Sequence, residues 1–283
     1  MLANTDGPFP KLSADQFKQI TQRVYDLCGI ELRQGKETLV ASRLAKRLRA
    51  LSLPDYDAYL RKLGDDPGGD EVRAMIDVLT TNKTSFMREP RHFDFLREFL
   101  CSRVDAVRSR AVLDVPLRIW SAGCSSGEEP LTIAMTVRES WPKPIASRAR
   151  ILATDICSQV LARARQGTYT SDVISDIPTA LLHRYFEPEA GSRWRASPSL
   201  LSMIGFARLN LMEQWPMRGP FDAIFCRNVM IYFDKKTQEQ LVGRFYQLLR
   251  PGGYLFVGHS ESLTGVHHSY DYTQPGVYTR PVS

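Results

Sequence analysis

Trp120-Ser-Ala-Gly-Cys-Ser-Ser-Gly-Glu-Glu129 is the stretch that decides the fold class of this chain. It comes directly after a short apolar run at residues 117–120 and opens a helical pattern at residues 129–139. Small residues between a strand and a helix let the backbone approach a ligand closely, and the first helical turn offers unpaired N–H groups. The stretch therefore predicts a ligand-binding loop of a nucleotide-binding α/β fold.

The charges of this loop argue against a dinucleotide. Gly123 and Gly127 are separated by three residues, which departs from the G-x-G-x-x-G spacing, and the acidic Glu128 and Glu129 would repel a pyrophosphate. Two carboxylates suit a positively charged ligand instead, and S-adenosylmethionine (SAM) has both an ammonium and a sulfonium group. An ordinary tight strand-to-helix turn would explain the two glycines alone equally well.

Outside this loop, apolar runs alternate with helical patterns over the second half of the chain. The runs lie at residues 117–120, 150–154, 221–225 and 254–257, and the helical patterns at 129–139, 158–166 and 237–249. This alternation predicts βαβ units and a mostly parallel sheet. Residues 167–206 have no clean period and are interpreted as an insertion on the α/β core.

The first ninety residues predict a small helical bundle. Ser13-x-x-Gln16 has the form of a capping box, and Gly29 is a plausible helix stop. Further helices are predicted at residues 36–51, 54–63 and 71–79, and a linking helix at 93–115. Residues 33–49 contain six basic residues against one acid, so a basic surface patch is predicted on the second helix.

The bulk properties exclude several classes of protein. The chain has 283 residues and a net charge of +6, with no apolar run of the ~18 residues that span a membrane. Residues 1–10 lack the features of a signal peptide, so a cytoplasmic location is expected. The five cysteines have no zinc-ligand spacing, and they are predicted to be free thiols without a metal.

Three other polar positions are candidates for binding or catalysis. Asp155 follows the run at residues 150–154, where an acid holds ribose hydroxyls in nucleotide-binding folds, although it would also serve as a turn or helix cap. Asn228 ends a buried run and is followed by Tyr232 and Phe233, which position a nucleophile or cover the core edge. Arg88 ends a polar stretch, and its guanidinium either binds a carboxylate or is an ordinary surface group.

Taken together, these motifs resemble the chemotaxis receptor methyltransferase (CheR-type) family over nearly the whole chain. Met87 departs from the family, which usually has a second phenylalanine there. The motifs that carry the resemblance are Thr81-Asn-Lys-Thr-Ser-Phe-Met-Arg88, Trp120-Ser-Ala-Gly-Cys-Ser-Ser-Gly-Glu-Glu-Pro130, Ala153-Thr-Asp-Ile156, Phe221-Asp-Ala-Ile-Phe-Cys-Arg-Asn-Val-Met-Ile-Tyr-Phe233 and Gly258-His-Ser-Glu261.

The resemblance implies an α/β fold: a Rossmann-like SAM-dependent methyltransferase domain with a small inserted β-subdomain, preceded by a small all-α domain. The implied limits are a receptor-binding helical domain at residues 1–90, a linker helix at 91–116, a methyltransferase domain at 117–283 and an insertion at about 167–206. The implied activity is SAM-dependent formation of glutamate methyl esters on methyl-accepting chemotaxis receptors, with S-adenosylhomocysteine as the product. The implied role is sensory adaptation.

The resemblance also implies roles for individual residues. Arg88 would pair with the cofactor carboxylate and act in catalysis, Glu129 would hold the ammonium, and Asp155 the ribose hydroxyls. Tyr232 would line the substrate channel as a second catalytic residue. The full cofactor set is Asn82, Thr84, Arg88, Glu129, Asp155, Asn210, Leu211, Asn228 and Val229, and the receptor-binding set is Lys36, Arg43, Lys46, Arg47 and Arg49.

The expected partner is the cytoplasmic helical domain of chemoreceptors, and the enzyme is expected to be a monomer that binds no nucleic acid and does not insert into the membrane. The stretch Tyr185-Phe-Glu-Pro-Glu-Ala-Gly-Ser-Arg-Trp194 is short and has a single glycine, so tethering to a receptor C-terminal pentapeptide is not expected. The alternatives are a methyltransferase for RNA or a small molecule, a non-catalytic binding module, and an NAD-dependent dehydrogenase, which Glu128 and Glu129 disfavour.

Overall fold

The computed structural model describes residues 11–65, 68–110 and 116–282, with the side chains of residues 104–110 left out of the description. The chain divides into two compact units, Met1–Thr81 with Tyr232–Asp234, and Asn82–Ile231 with Lys235–Ser283. This division places residues 82–110 with the second unit, so the predicted boundary at residue 90 shifts to residue 81. The reason is packing, because the helix after residue 90 lies against the helix that follows the glycine loop.

The described residues of the first unit form four helices: α1 (Ala14–Cys28), α2 (Glu37–Ala50), α3 (Tyr56–Asp65) and α4 (Asp70–Leu79). Helix α2 packs on α4, and α1 packs on α3. The predicted capping box is present, since the Gln16 amide donates to Ser13 Oγ (3.2 Å) and the Ser13 amide donates to Gln16 Oε1 (2.9 Å). Gly29 ends α1 in the left-handed region at φ 71°.

The apolar spacing of these helices explains their packing. Ile20, Val40, Leu44 and Leu48 recur at helical intervals and are fully or almost fully buried. Residues 232–234 belong to this unit: the Tyr232 carbonyl accepts from the Glu31 amide (2.8 Å), and the Tyr25 hydroxyl donates to Asp234 (2.5 Å). The predicted helical bundle is confirmed, while residues 1–10, 66–67 and 111–115 of the predicted segments lie outside the described residues.

The second unit contains a seven-stranded sheet and a separate three-stranded sheet. The strands are β1 (Arg118–Ala122), β2 (Arg150–Asp155), β3 (Thr168–Thr170), β4 (Phe186–Glu189), β5 (Arg193–Ala196), β6 (Ile204–Arg208), β7 (Phe221–Cys226), β8 (Leu249–Val257), β9 (Asp271–Gln274) and β10 (Val277–Thr279). The large sheet has the order β6-β2-β1-β7-β8-β10-β9. Within the described residues, β10 pairs in antiparallel fashion with both β8 and β9, and the other pairs of this sheet are parallel. The predicted α/β fold with a mostly parallel sheet is confirmed.

The described helices of this unit precede the sheet, connect its parallel strands or lie in the insertion. They are α5 (Arg91–Arg110), α6 (Glu128–Ser140), α7 (Lys143–Ala146), α8 (Ser158–Gln166), α9 (Thr179–Tyr185), α10 (Pro198–Leu201) and α11 (Lys235–Leu248). Residues 130–137 of α6 are all buried, because α6 packs against α5 and α10 as well as the sheet. No helix in the described ranges is long and apolar enough to cross a membrane.

The small antiparallel sheet, of order β3-β5-β4, forms the predicted insertion. The insertion is shorter than predicted, because residues 204–206 belong to β6, which pairs in parallel with β2 at the edge of the large sheet. Strand β6 could not be predicted from hydrophobic periodicity, because it contains Gly205 and most of its residues are partly exposed. The small sheet therefore interrupts the chain between α8 and β6.

The strand order places a switch point beside β1. The chain leaves β1 through α6 towards β2 on one side, while β7 pairs with β1 on the other. In open parallel sheets, ligands bind in the crevice at the carboxyl ends of the strands where the order reverses. The loops after β1, β2, β6, β7 and β8 therefore define the candidate site.

Candidate cofactor site

The loop at residues 123–127, here called the cofactor loop, joins β1 to α6 in a conformation that needs its glycines. Gly123 has φ 91° and Gly127 has φ 100°. A Cβ on Gly123 would lie 2.4 Å from Val229 Cγ2, and one on Gly127 would lie 2.8 Å from the Tyr169 hydroxyl oxygen. The glycines thus serve both backbone conformation and close approach, which an ordinary turn would not require.

Asp155 fastens the cofactor loop to the end of β2. Its Oδ2 accepts from the Ser125 amide (2.8 Å), and its Oδ1 accepts from the Cys157 amide at the start of α8 (2.9 Å). The Ser125 hydroxyl in turn donates to the Asn82 carbonyl (2.8 Å), which brings residue 82 to the same loop. The Asp155 carboxylate therefore joins the cofactor loop to the backbone directly before α8.

Glu129 lies at the start of α6 and is held by two side chains. Its Oε1 accepts from the Ser121 hydroxyl (2.7 Å), and its Oε2 accepts from the Arg227 guanidinium (3.0 Å). Arg227 is almost fully buried and also pairs with Glu89 (3.1 Å). With both carboxylates ionised, this cluster of Glu89, Glu129 and Arg227 carries one net negative charge, which fits a cationic ligand group.

The electrostatics of the cluster differ between its two acids. Burial raises the pKa of Glu129, and the charge of Arg227 and the Ser121 hydroxyl only partly offset this. Burial acts on Glu89 too, but the Arg227 guanidinium outweighs it and the pKa of Glu89 lies below its usual value. A cation placed beside Glu129 would therefore gain more from the cluster than one placed beside Glu89.

Arg88 is half-buried, and its guanidinium donates to the Lys83 carbonyl (2.9 Å), which closes residues 83–88 into a compact loop. Its own carbonyl accepts from Arg227. Met87 and Glu89 on either side have φ 53° and 57°, in the left-handed region. Thr84 in the same loop is also half-buried.

Asn210 and Leu211 follow β6 and are both buried. The Asn210 side chain accepts from the Met212 amide (3.0 Å) and donates to Glu213 (3.1 Å), which shapes the turn after the strand. The neighbouring Leu209 amide donates to the Asp155 carbonyl (3.0 Å). The turn therefore lies beside the carboxyl end of β2, as its predicted place near the cofactor requires.

Asn228 and Val229 follow β7. Asn228 has φ 58°, its amide donates to Glu261 (2.5 Å), and both residues are half-buried. Val229 lies against Gly123 of the cofactor loop. The predicted cofactor residues are thus gathered on the loops at one edge of the sheet, whereas Tyr232 and the predicted receptor-binding residues belong to the helical unit.

Arg43 and Arg47, both predicted to bind the receptor, have partners within the helical unit. Arg43 donates to the carbonyls of Leu79 (2.7 Å) and Thr80 (2.8 Å). Arg47 makes a two-pronged pair with Glu71 (3.0 and 2.5 Å). The other three predicted residues, Lys36, Lys46 and Arg49, are exposed.

Arg227, Glu89 and Glu261 are site residues that the sequence analysis does not single out. All three stand inside or directly beside the quoted motifs, but their partners lie far away in sequence, so no local spacing assigns them a role. Glu89 also lies near His92 and His259, with one potential metal-ligand atom from each residue within 4.8 Å of the others. Glu89 also pairs with Arg227, so its carboxylate is shared between these histidines and the ion pair.

Two family profiles match the chain: "CheR methyltransferase, SAM binding domain" over residues 82–278 and "CheR methyltransferase, all-alpha domain" over residues 15–80. The chain is 42% identical to chemotaxis protein methyltransferase 2 of Pseudomonas aeruginosa, covering 90% of this chain and 89% of that one. It is 40% identical to the Escherichia coli chemotaxis protein methyltransferase, covering 94% and 91%. Identity to the Borreliella burgdorferi protein of the same name is 37%, covering 95% of each.

Among solved structures, the chain is similar to a SAM-dependent methyltransferase from Methanosarcina mazei, with 16% identity and a TM-score of 0.32 over 50% of this chain and 51% of that chain.

Proposed function

The chain belongs to the CheR methyltransferase family, and we propose that it forms methyl esters on glutamate side chains of chemoreceptors, as the methyl-transfer enzyme of sensory adaptation. SAM is the methyl donor of the domain that matches residues 82–278. The receptor as substrate follows from the chemotaxis relatives, and the glutamate from the family resemblance.

The cluster of Glu89, Glu129 and Arg227 is the observation that carries the proposal. It places one uncompensated carboxylate at the start of α6, where a dinucleotide-binding protein would receive an anionic pyrophosphate. An ammonium group fits this charge, and a pyrophosphate does not. The pattern supports SAM over the nicotinamide dinucleotides and so argues against a dehydrogenase.

The residue roles proposed for the cofactor follow from its functional groups. Glu129 takes the ammonium, Arg88 the carboxylate and Asp155 the ribose hydroxyls. The remaining residues frame the adenine and the methylthio end, or complete the linker side of the site; they are Asn82, Thr84, Asn210, Leu211, Asn228 and Val229. Tyr232 is proposed to line the substrate channel.

The chemistry asks little of acid–base catalysis. The bound cofactor supplies a methyl group on a sulfonium, which is a good leaving group. A glutamate side chain is already ionised at neutral pH, so the protein need not remove a proton. What the chain must do is hold the acceptor carboxylate in line and exclude water, which is a proximity and orientation effect. No general base is therefore required at Tyr232 or elsewhere.

Receptor binding is proposed for the basic helix α2. Because Arg43 and Arg47 make internal contacts, direct contact with the receptor is proposed for the exposed Lys36, Lys46 and Arg49. Exposed cations on α2 and directly before it suit the acidic surface of a helical receptor domain. Arg43 and Arg47 contribute indirectly by fixing α2 against α4.

We also propose that the protein acts as a monomer without receptor tethering. The hairpin of β4 and β5 has a three-residue turn at residues 190–192, with Gly191 at φ 74°. The insertion thus has a tight turn in place of a longer glycine-bearing loop. Calorimetry with a receptor C-terminal pentapeptide is expected to show no binding, and tight binding would contradict this proposal.

Methyl-labelled SAM, supplied with either a purified receptor signalling domain or total RNA, tests the proposed function. Label is expected on the receptor and not on RNA, and Arg88→Ala is expected to abolish the transfer. Label on RNA would favour the alternative methyltransferase. A folded protein that fails to bind S-adenosylhomocysteine would instead point to a non-catalytic module.

A further inference from the structure

Glu261 lies in the loop after β8, and only 6% of its surface is exposed. Its carboxylate accepts three backbone N–H groups from two different loops. Oε2 accepts from the Asn228 amide (2.5 Å) and the Gly258 amide (2.6 Å), and Oε1 accepts from the Ile231 amide (3.1 Å). Glu261 therefore joins the loop after β8 to residues 228–231, here called the 228–231 loop.

The charge of Glu261 is balanced by the backbone alone. Within the part of the chain that the structure describes, no lysine, arginine or histidine forms a salt bridge with it, in contrast to Glu129 and Glu89. A buried carboxylate is costly unless it is paired or hydrogen-bonded. Here the convergent amides offset part of that cost, although burial still raises the pKa of Glu261. Removing the carboxylate would leave the Asn228 and Ile231 amides without this acceptor.

The 228–231 loop needs an external hold. Asn228 has φ 58°, a left-handed conformation that costs energy for any residue with a Cβ. The fit around it is tight, because a Cβ on Gly258 would lie 2.5 Å from Asn228 Nδ2 and 2.7 Å from Glu261 Oε2. Val229, the next residue, lies directly against Gly123 of the cofactor loop. A small shift of this loop would therefore move Val229 relative to the cofactor loop.

We propose that Glu261 is a positioning residue for methyl transfer: its carboxylate holds Asn228 and Val229 in the conformation that receives the reacting end of the cofactor. This inference rests on the proposed function, because it assumes that Asn228 and Val229 lie at the methylthio group. Glu261 acts through the backbone of the 228–231 loop and does not touch the reacting atoms.

A purely structural carboxylate would lower stability without a selective effect on catalysis, and Asp222 provides the matched control. It is equally buried and lies on β7, the strand that leads into the 228–231 loop, but at the opposite end. It accepts from the Arg118 amide (2.7 Å) and from Arg250 (2.7 Å) and pairs with Arg103. Asp222→Asn therefore removes a buried charge of the same strand away from the site.

The experiment compares Glu261→Gln with Asp222→Asn and wild type. Glutamine keeps the size of the side chain but puts an NH2 group where backbone amides need an acceptor. Three quantities are measured: S-adenosylhomocysteine affinity by calorimetry, kcat and KM for a receptor domain, and the free energy of unfolding in urea. Glu261→Gln is expected to lower cofactor affinity and kcat by ~10-fold or more, with the receptor KM within about twofold. Asp222→Asn is expected to leave affinity and kcat within about twofold whatever its loss of stability.

The outcomes separate this inference from the proposed function. Wild-type affinity and kcat in folded Glu261→Gln would overturn the inference alone, as would equal functional losses in Asp222→Asn. A wild type that binds no S-adenosylhomocysteine would overturn the cofactor assignment and the inference with it. If Glu261→Gln does not fold, Glu261→Asp keeps the charge but is one methylene too short to bridge both loops, and the same selective loss is expected.

Discussion

At the scale of single residues, the site depends on how one guanidinium is shared. Arg227 pairs with both Glu89 and Glu129, and the Ser121 hydroxyl holds the other oxygen of Glu129, so the Glu129 carboxylate has a fixed orientation. Because burial raises the pKa of Glu129, an incoming ammonium would stabilise its charged form. Glu128, the adjacent acid, has its own partner in the Ser126 hydroxyl (2.9 and 2.8 Å) and takes no part in this cluster.

Glu129→Gln is therefore expected to weaken S-adenosylhomocysteine binding by ~10-fold or more, because a charge-assisted hydrogen bond to the ammonium is lost. Glu128→Gln is the matched control and is expected to stay within about twofold of wild type. Titration calorimetry measures both affinities, with unfolding curves to verify the fold. Equal losses in the two variants would refute the special role of Glu129.

His92 predicts a pH dependence of stability. Burial and the nearby Arg227 lower the pKa of His92 from 6.5 to about 4, and Glu89 only partly offsets this, while the exposed His259 adds to it. Between these two values the unfolded chain binds a proton that the folded chain refuses. The free energy of unfolding should therefore fall by up to about 3 kcal/mol as the pH drops from 6.5 towards 4.

His92→Phe is expected to flatten this pH slope, because phenylalanine cannot take up the proton and packs against the same ring of Phe256. Replacement of the exposed His267 by glutamine should leave the slope as in wild type. Urea denaturation at several values between pH 7 and pH 5 measures the difference. If the free energy of unfolding of His92→Phe has the wild-type pH slope, a group other than His92 is responsible for that slope.

At the scale of elements, α2 combines a structural face with a charged one. Arg47 and Glu71 are only 24% and 11% exposed in their side chains, and the Tyr59 hydroxyl donates to the same carboxylate (2.8 Å). Lys46, one residue earlier, is exposed and faces away from this pair. The two neighbouring cations are therefore expected to differ in what they support.

Arg47→Met should lower the free energy of unfolding by about 2 kcal/mol, since it leaves a half-buried Glu71 without its cation. Lys46→Gln should change stability by less than about 0.5 kcal/mol but raise the receptor KM. Urea unfolding and methylation kinetics on the two variants give these values. If Lys46→Gln, Lys36→Gln and Arg49→Gln together leave the receptor KM unchanged, α2 does not bind the receptor.

The elements that the sequence predicted best are those with strong periodicity or clear caps. The strands β1, β2, β7 and β8 each contain a short apolar run, and α1 has a capping box and a left-handed glycine stop. The strands β6, β9 and β10 escaped prediction because they are short and lie at or near the sheet edges, and β9 is mostly exposed. Among the candidate site residues, the glycine loop, its two acids and Asp155 could be singled out from local spacing, while the choice of Glu129 over Glu128 came from the family resemblance. Arg227 and Glu261 were not, because their roles arise only when distant loops meet.

At the scale of the whole molecule, the residues proposed to bind the receptor and those proposed to bind the cofactor lie in different units. The helical unit carries the exposed basic residues of α2, and the α/β unit carries the acidic cofactor cluster. The two proposals can therefore fail independently: losing the α2 cations should affect the receptor KM, and losing Glu129 should affect cofactor affinity. The identity of the cofactor is inferred from the charges of the α/β unit, whereas the glutamate acceptor is inferred from the family resemblance.

The most direct test of the central claim is to locate the transferred methyl group on a chemoreceptor signalling domain. The domain is incubated with the protein and methyl-labelled SAM, treated with mild base, and analysed by mass spectrometry. The account predicts label on glutamate side chains, release of that label as methanol in base, and no label on a receptor whose methylated glutamates are changed to alanine. A base-stable label, or label on residues other than glutamate, would contradict it.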